Sequence, residues 1–197
     1  IRDIMMGPVA AVKMVAETIG TVIKVLGALE AEYQTAARAS AILTSTLKAT
    51  GAGAWTSSKQ IYEYADAMEV ATGMNGDAIV SMQSVLLGFK NIKGDNFKEA
   101  STQMLNMATV MKMDLSSAAQ AVGKALYDPI EGINSLSRQG FRFSDQQKAM
   151  LKDMVNTGDI AKAQKIILDE LNTTYGGAAE SANKAATGAA AYAKATG

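Results

Sequence analysis

Apolar residues recur along this chain at steps of three and four, and short polar or glycine-containing breaks interrupt them, the pattern of a series of packed helices. From the N-terminal side, Val9, Val12, Ala16, Ile19, Ile23 and Leu26 alternate those steps as in a coiled-coil seam. Val15, Val22 and Leu29 widen the apolar face, so this long first helix is expected to pack against copies of itself or to be buried in the domain's own core. Glu30 interrupts the register; Tyr33 and Ala37 resume it. Ala28 to Thr50 continues as a more polar, Ala-rich helix, and Gly51-Ala52-Gly53 breaks it.

A compact part is expected from that break onward. Ser57 with Gln60 forms a capping-box pattern, after which Ile61, Tyr64, Ala65, Met68 and Ala71 share one face up to Gly73. Asn75-Gly76-Asp77 turns the chain, Asp77 is expected to cap the next helix, and Ile79, Met82, Val85, Leu86 and Phe89 form its stripe. Asn96 with Glu99 restarts the pattern for Phe97, Ala100, Met104, Met107, Ala108 and Met111. Asp114 or Ser116 opens a helix carrying Leu115, Ala118, Ala119, Val122, Ala125 and Leu126. Asp128-Pro129-Ile130-Glu131 is a strong helix start, combining a capping carboxylate, a proline preset for the first position and an acid at the third.

Gly140 ends that helix, and Phe141-Arg142-Phe143 reads as an extended link. Ser144 with Gln147 is a second capping box, leading into Met150, Leu151, Met154 and Val155. Gly158 closes this helix and Asp159 is expected to cap the next, which buries Ile160, Ala163, Ile167 and Leu171, and so tight a link predicts an antiparallel hairpin. Gly176-Gly177 breaks the chain again, and the Ala- and Gly-rich tail to Gly197 has helix propensity without apolar bulk, as befits a linker or a helix needing outside support. The fold class is therefore all-α: an array of short amphipathic helices and helical hairpins preceded by a long N-terminal helix. Three segments are expected, 1–50, 51–175 and 176–197.

Composition narrows the chemistry. The chain has no Cys and no His, which removes thiol nucleophiles, disulfides, the commonest zinc ligands and the commonest general base. Lys and Arg balance Asp and Glu at 19 each, so no general electrostatic attraction to nucleic acid or to an anionic membrane is expected. Two prolines and twelve methionines suit a helical protein, and the methionines fall mostly on the apolar stripes, as core rather than as an adaptable groove. Beginning at Ile1 without an initiator Met, the chain reads as a piece of something longer. Lys13, Glu17 and Lys24 interrupt its apolar start, which argues against a signal peptide and weakens a membrane-spanning reading.

Glu30, Glu32, Asp66 and Glu69 lack metal-loop or paired-carboxylate spacing and read as solvated helix faces. Ser137-Arg138 and Ser144 have no His to activate a hydroxyl, and Gly51-Ala52-Gly53 lacks the Gly-Lys-Ser/Thr of a phosphate loop. Arg138 and Arg142 around Phe141 form an aromatic-basic hinge whose expected role is to lock two helical hairpins. No catalytic residue, metal or cofactor is expected, and no sequence-specific nucleic-acid binding.

One stretch has a wider resemblance. Gly123, Ala125, Leu126, Asp128, Pro129, Gly132, Leu136, Arg138, Gly140, Phe143 and Ser144 follow the order Gly-x-Ala-Leu-x-Asp-Pro-x-x-Gly-x-x-x-Leu-x-Arg-x-Gly-x-x-Phe-Ser. Downstream come Ala163, Gln164, Ile167, Leu168, Glu170 and Leu171, then Gly176-Gly177-Ala178-Ala179. This combination resembles the signature region of phage tail tape-measure proteins, and the runs Ala41 to Thr50 and Gln83 to Ile92 are similar to the same family, so the likeness covers roughly Ala28 to Ala179.

The resemblance implies a non-enzymatic structural component of a phage or prophage tail, setting tube length during assembly and released at DNA ejection. It implies a homo-oligomer, in the family a trimer, with tail-tube subunits, tail-tip or baseplate proteins and assembly chaperones as partners. Its place would be the virion, inside the tail tube or tail tip, and the host cytoplasm during assembly. An extended helix adds about 1.5 Å per residue, which lets chain length measure a tube; the repeated caps and glycine breaks here instead suggest a folded, tip-proximal anchoring domain. A second reading is a membrane-active helical protein in which the Val9 to Leu29 helix contacts the host membrane and helps DNA cross the envelope. A cell-wall hydrolase is a third, for which the chain supplies no site.

Overall fold

The computed structural model describes residues 24, 30, 34 and 37–196. The seam from Val9 to Leu29 and the resumption at Tyr33 lie outside them. The chain divides into two units, 1–41 and 42–197. In the first, the described residues are helical, and Gln34 Nε2 donates to Glu30 Oε1 at 3.0 Å, one turn back.

The second unit begins with helical residues 42–50 and a 3₁₀ turn at Ala52–Ala54. Eight α-helices follow among the described residues: α1 Ser58–Thr72, α2 Gly76–Leu87, α3 Gly94–Met111, α4 Leu115–Tyr127, α5 Pro129–Arg138, α6 Asp145–Asn156, α7 Ile160–Tyr175 and α8 Ala178–Thr196. No strand occurs among them, and the fold is all-α. The compact unit starts before the break expected at residue 51, because Leu43 and Leu47 are buried in its core. It also takes in the tail, which is helix α8 with Ala179 buried.

Local starts follow the capping chemistry where a short polar side chain precedes the first turn. Ser57, Asn75, Asp114, Asp128 and Ser144 each accept from a backbone N–H of the first turn, satisfying donors that the helix leaves orphaned. At Ser144 the box is reciprocal: Gln147 N donates to Ser144 Oγ at 3.1 Å and Ser144 N to Gln147 Oε1 at 2.8 Å. Three expected caps differ. Asp77 lies inside the first turn of α2, whose cap is Asn75. Helix α3 starts at Gly94 after Lys93, without a side-chain cap, and Asn96 turns its carboxamide to another helix. Asp159 precedes α7 but makes no capping bond, its carboxylate being paired with Lys162.

Helix α3 is the centre of the unit and packs on α2, α4, α7 and α8. It buries Phe97, Ala100, Met104 and Met107 together with Ser101, Gln103, Leu105 and Asn106, so both of its faces are covered. Around it α1 packs on α2 and α8, α2 on α4, and α4 on α5; α6 and α7 form the expected hairpin. Three stripe residues sit elsewhere than expected. Met111 and Met150 are exposed, and Phe89 falls beyond the end of α2, its ring tilted against Tyr127 at 6.0 Å.

Candidate functional site

The Asp128-Pro129 elbow ends α4 and starts α5 in a single step. Asp128 N donates to Lys124 O, closing one helix, while Asp128 Oδ1 accepts from Glu131 N at 3.2 Å, opening the next. The sharp return presses Gly132 against the α4 backbone, where a Cβ would run into the Ala125 carbonyl. Gly123 is likewise flat against the Phe89 ring. Downstream, Phe141 and Phe143 are buried, and Phe141 meets Tyr175 edge to face at 5.2 Å. Arg138 and Arg142 stay exposed, so the hinge turns its rings inward and its charges outward.

Gln164 draws three distant segments to one point. Its Nε2 donates to Leu126 O at 3.0 Å and Asn91 O at 3.2 Å, and its Oε1 accepts from Asn96 Nδ2 at 3.0 Å. Asn96 also donates to Ala161 O at 2.8 Å, and Asn91 Nδ2 to Tyr127 O at 2.9 Å. The end of α4, the loop after α2 and the first turns of α7 are thus joined by amides around the fully buried Gln164, where a bond left unmade is costly, and Asn91 Oδ1 in the same node is buried without a partner. On the surface, Lys165 Nζ clasps both Glu99 oxygens, at 2.7 and 2.9 Å, and Asp169 at 2.8 Å. The Asp169 hydrogen bond, then that of Glu99, raises the Lys165 pKa above its usual value.

A second polar relay anchors α8. Gln103 Nε2 donates to Asn172 Oδ1 at 3.0 Å, Asn106 Nδ2 to Gln103 Oε1 at 3.2 Å, and Ala179 N to Asn106 Oδ1 at 3.1 Å. Asn183 Nδ2 adds a bond to Ala71 O at 3.1 Å. The relay thereby occupies an orphan N–H at the start of α8 immediately after Gly176-Gly177.

One cavity, of about 110 Å³, lies between the Trp55 turn, α1, α2 and the start of α3. Trp55, Ile61, Tyr64, Gln83, Phe97 and Lys98 are among its walls. Trp55 and Phe97 meet edge to face at 5.2 Å. The Tyr64 hydroxyl lies 2.8 Å from Thr102 Oγ1, and burial pushes its pKa up, partly offset by that contact.

The residues weighed for chemistry do not converge. Glu30 accepts from Gln34, Glu32 lies outside the described residues, and Asp66 and Glu69 are exposed. Among the described residues no group of three or more acidic side chains could hold a metal. The Ser137 hydroxyl donates to Ile133 O at 2.6 Å and Ser144 is a cap. Gly51 carries a positive φ of 71° into the 3₁₀ turn, a backbone role. No helix among the described residues is long and apolar enough to cross a membrane. Periodicity alone missed the buried amides Gln83, Gln103 and Asn106. Their signal was an amide inside an apolar arc, as in Met82-Gln83 and Gln103-Met104. Comparison with protein-family models, with curated proteins and with solved structures finds no match.

Proposed function

We propose that this chain is a segment of a phage or prophage tail tape-measure protein, acting as a folded anchoring domain at the tail tip. The observation that carries the reading is the Gln164 junction. The runs resembling that family, Gln83 to Ile92, Gly123 to Ser144 and Ala163 to Ala179, are far apart in sequence, yet Asn91, Leu126 and Gln164 meet in one hydrogen-bonded node. Residues of the same runs serve backbone contacts: Gly132 at the helix crossing, Asp128 and Ser144 as caps, Ala179 in the α8 relay. Their purpose is to hold a compact shape, and no chemistry is assigned to them.

A compact unit sets no length in proportion to its residues, whereas an extended helix would. In-frame deletion of 42–196 from the parent chain tests this by electron microscopy of the tails. An anchoring domain predicts that tails fail to form or lose their tip. Tails shortened by about 230 Å, the rise of that many helical residues, would instead make the segment part of the ruler. Light scattering on the 197-residue chain tests the proposed trimer separately: a monomeric mass would mean that any threefold arrangement is imposed by the tail.

A further inference from the structure

We infer that the cavity between the Trp55 turn, α1, α2 and the start of α3 is a recognition pocket for a primary carboxamide. Gln83 is 1% exposed, and its Oε1 is buried without a hydrogen-bond partner although the residue lines the cavity. Most buried side-chain amide oxygens in folded proteins are paired. Of the two left unpaired among the described residues, Gln83 Oε1 and Asn91 Oδ1, only Gln83 belongs to a residue lining the cavity, where a donor from outside can complete it. The Tyr64 hydroxyl on the same wall is already engaged, meeting Thr102 Oγ1 at 2.8 Å and Lys98 O at 3.4 Å.

Size and charge then select the donor. The cavity's volume of about 110 Å³ is below the ~150 Å³ that accommodates a benzene ring, so it takes a small head group. The edge-to-face rings of Trp55 and Phe97 give it flat apolar walls suited to a planar group. Lys98 on the wall disfavours an ammonium or guanidinium head. An ionised carboxylate suits Lys98 but only accepts hydrogen bonds, leaving Gln83 Oε1 unpaired. A primary carboxamide is neutral, planar and small, and it donates and accepts at once, so it can pair reciprocally with the Gln83 carboxamide. Gly94, in the first turn of α3, also lines the cavity, and Lys93 before it supplies no capping side chain. Backbone N–H groups there are further donors for the ligand's carbonyl. Such a carboxamide comes either from a Gln or Asn side chain of a partner protein or from a small free amide.

Nuclear magnetic resonance of the ¹⁵N-labelled 197-residue chain tests the pocket. Propionamide represents the free amide, N-acetylglutamine N-methylamide the side chain of a partner, and propylammonium and propionate are the charged counterparts. Trp55 is the chain's single tryptophan, so its indole N–H is an unambiguous reporter. The expected result is a saturable shift of that signal and of the Gln83 side-chain amide with the carboxamides, and none with either ion. Response to both amides makes the carboxamide alone sufficient; response only to the glutamine derivative assigns the pocket to a partner's side chain. Gln83→Met keeps the length of the side chain and should weaken binding about tenfold, the equivalent of one net hydrogen bond. The same variant removes an orphan acceptor, so its Tm should not fall below that of the parent. No saturable shift with either amide, an equal shift in Gln83→Met, or a lower Tm for that variant would overturn the assignment.

Discussion

Helices α7 and α8 both pack on α3, and they are held there by different means. Helix α7 buries Ile167, Leu168 and Leu171 completely, places the Gln164 node at its start and adds the Lys165 clasp. Helix α8 buries Ala179 and half-buries Asn183, and from Lys184 to Lys194 its side chains are exposed. Three buried aliphatic side chains contribute roughly 5–9 kcal/mol as an upper bound, against about 1 kcal/mol for each hydrogen bond of the α8 relay. Helical content and attachment are therefore separate quantities. Helix α8 is joined near its start by polar contacts and one buried Ala and not by a row of buried aliphatic side chains, and it is expected to open before α7 when the domain loosens.

The largest effect should come from the strong seam. Leu168→Ala empties a fully buried site and should lower the unfolding free energy by about 3 kcal/mol, measured as a shift of the denaturant midpoint at constant slope. Gln164→Leu keeps the volume but orphans the Leu126 and Asn91 carbonyls; a loss of about 2 kcal/mol is expected, and an unchanged midpoint would remove the node from the account of stability. Asn106→Ala should act on the weak seam alone, at about 1 kcal/mol. Hydrogen exchange should quicken in residues 178–196 while α3 and α7 keep their protection, and a uniform change would show that α8 is no separate opening unit.

The smallest effect is electrostatic. The Lys165 pKa is raised in the folded state, so its contribution is present below the unfolded value of about 10.4 and is lost as pH rises through the folded value. Half-exposed and screened, it should give only a shallow alkaline loss, which Lys165→Met should flatten. Asp114 has the opposite sign: hydrogen bonds from the Ser117 hydroxyl and backbone N–H lower its pKa. Its contribution is therefore present above about pH 3.9 and is lost as pH falls through the folded value. Acid titration of the Asp114→Ala variant checks it.

Much of the architecture was legible because caps and breaks are local physics. Ser57, Asp114, Asp128 and Ser144 act on N–H groups three residues away, and neighbours in sequence suffice to place them. Asn96 was misplaced because its carboxamide serves Ala161 and Gln164, more than sixty residues on. Met150 follows helical spacing yet is exposed, since periodicity marks a face without saying whether anything covers it. The candidate pocket was not legible at all: Trp55, Tyr64, Gln83 and Phe97 come from four separate elements, and the missing partner of Gln83 exists only once they close around it.

What the amino-acid order settles here is helix type, helix ends and the absence of Cys and His chemistry, because backbone capping, side-chain period and composition act within a few residues. Tertiary structure settles which of those helices are held firmly, which amides are buried and paired, and which two amide oxygens, of Gln83 and Asn91, are left wanting a donor. Those properties depend on the environment that distant segments create together, and burial has no value until they meet.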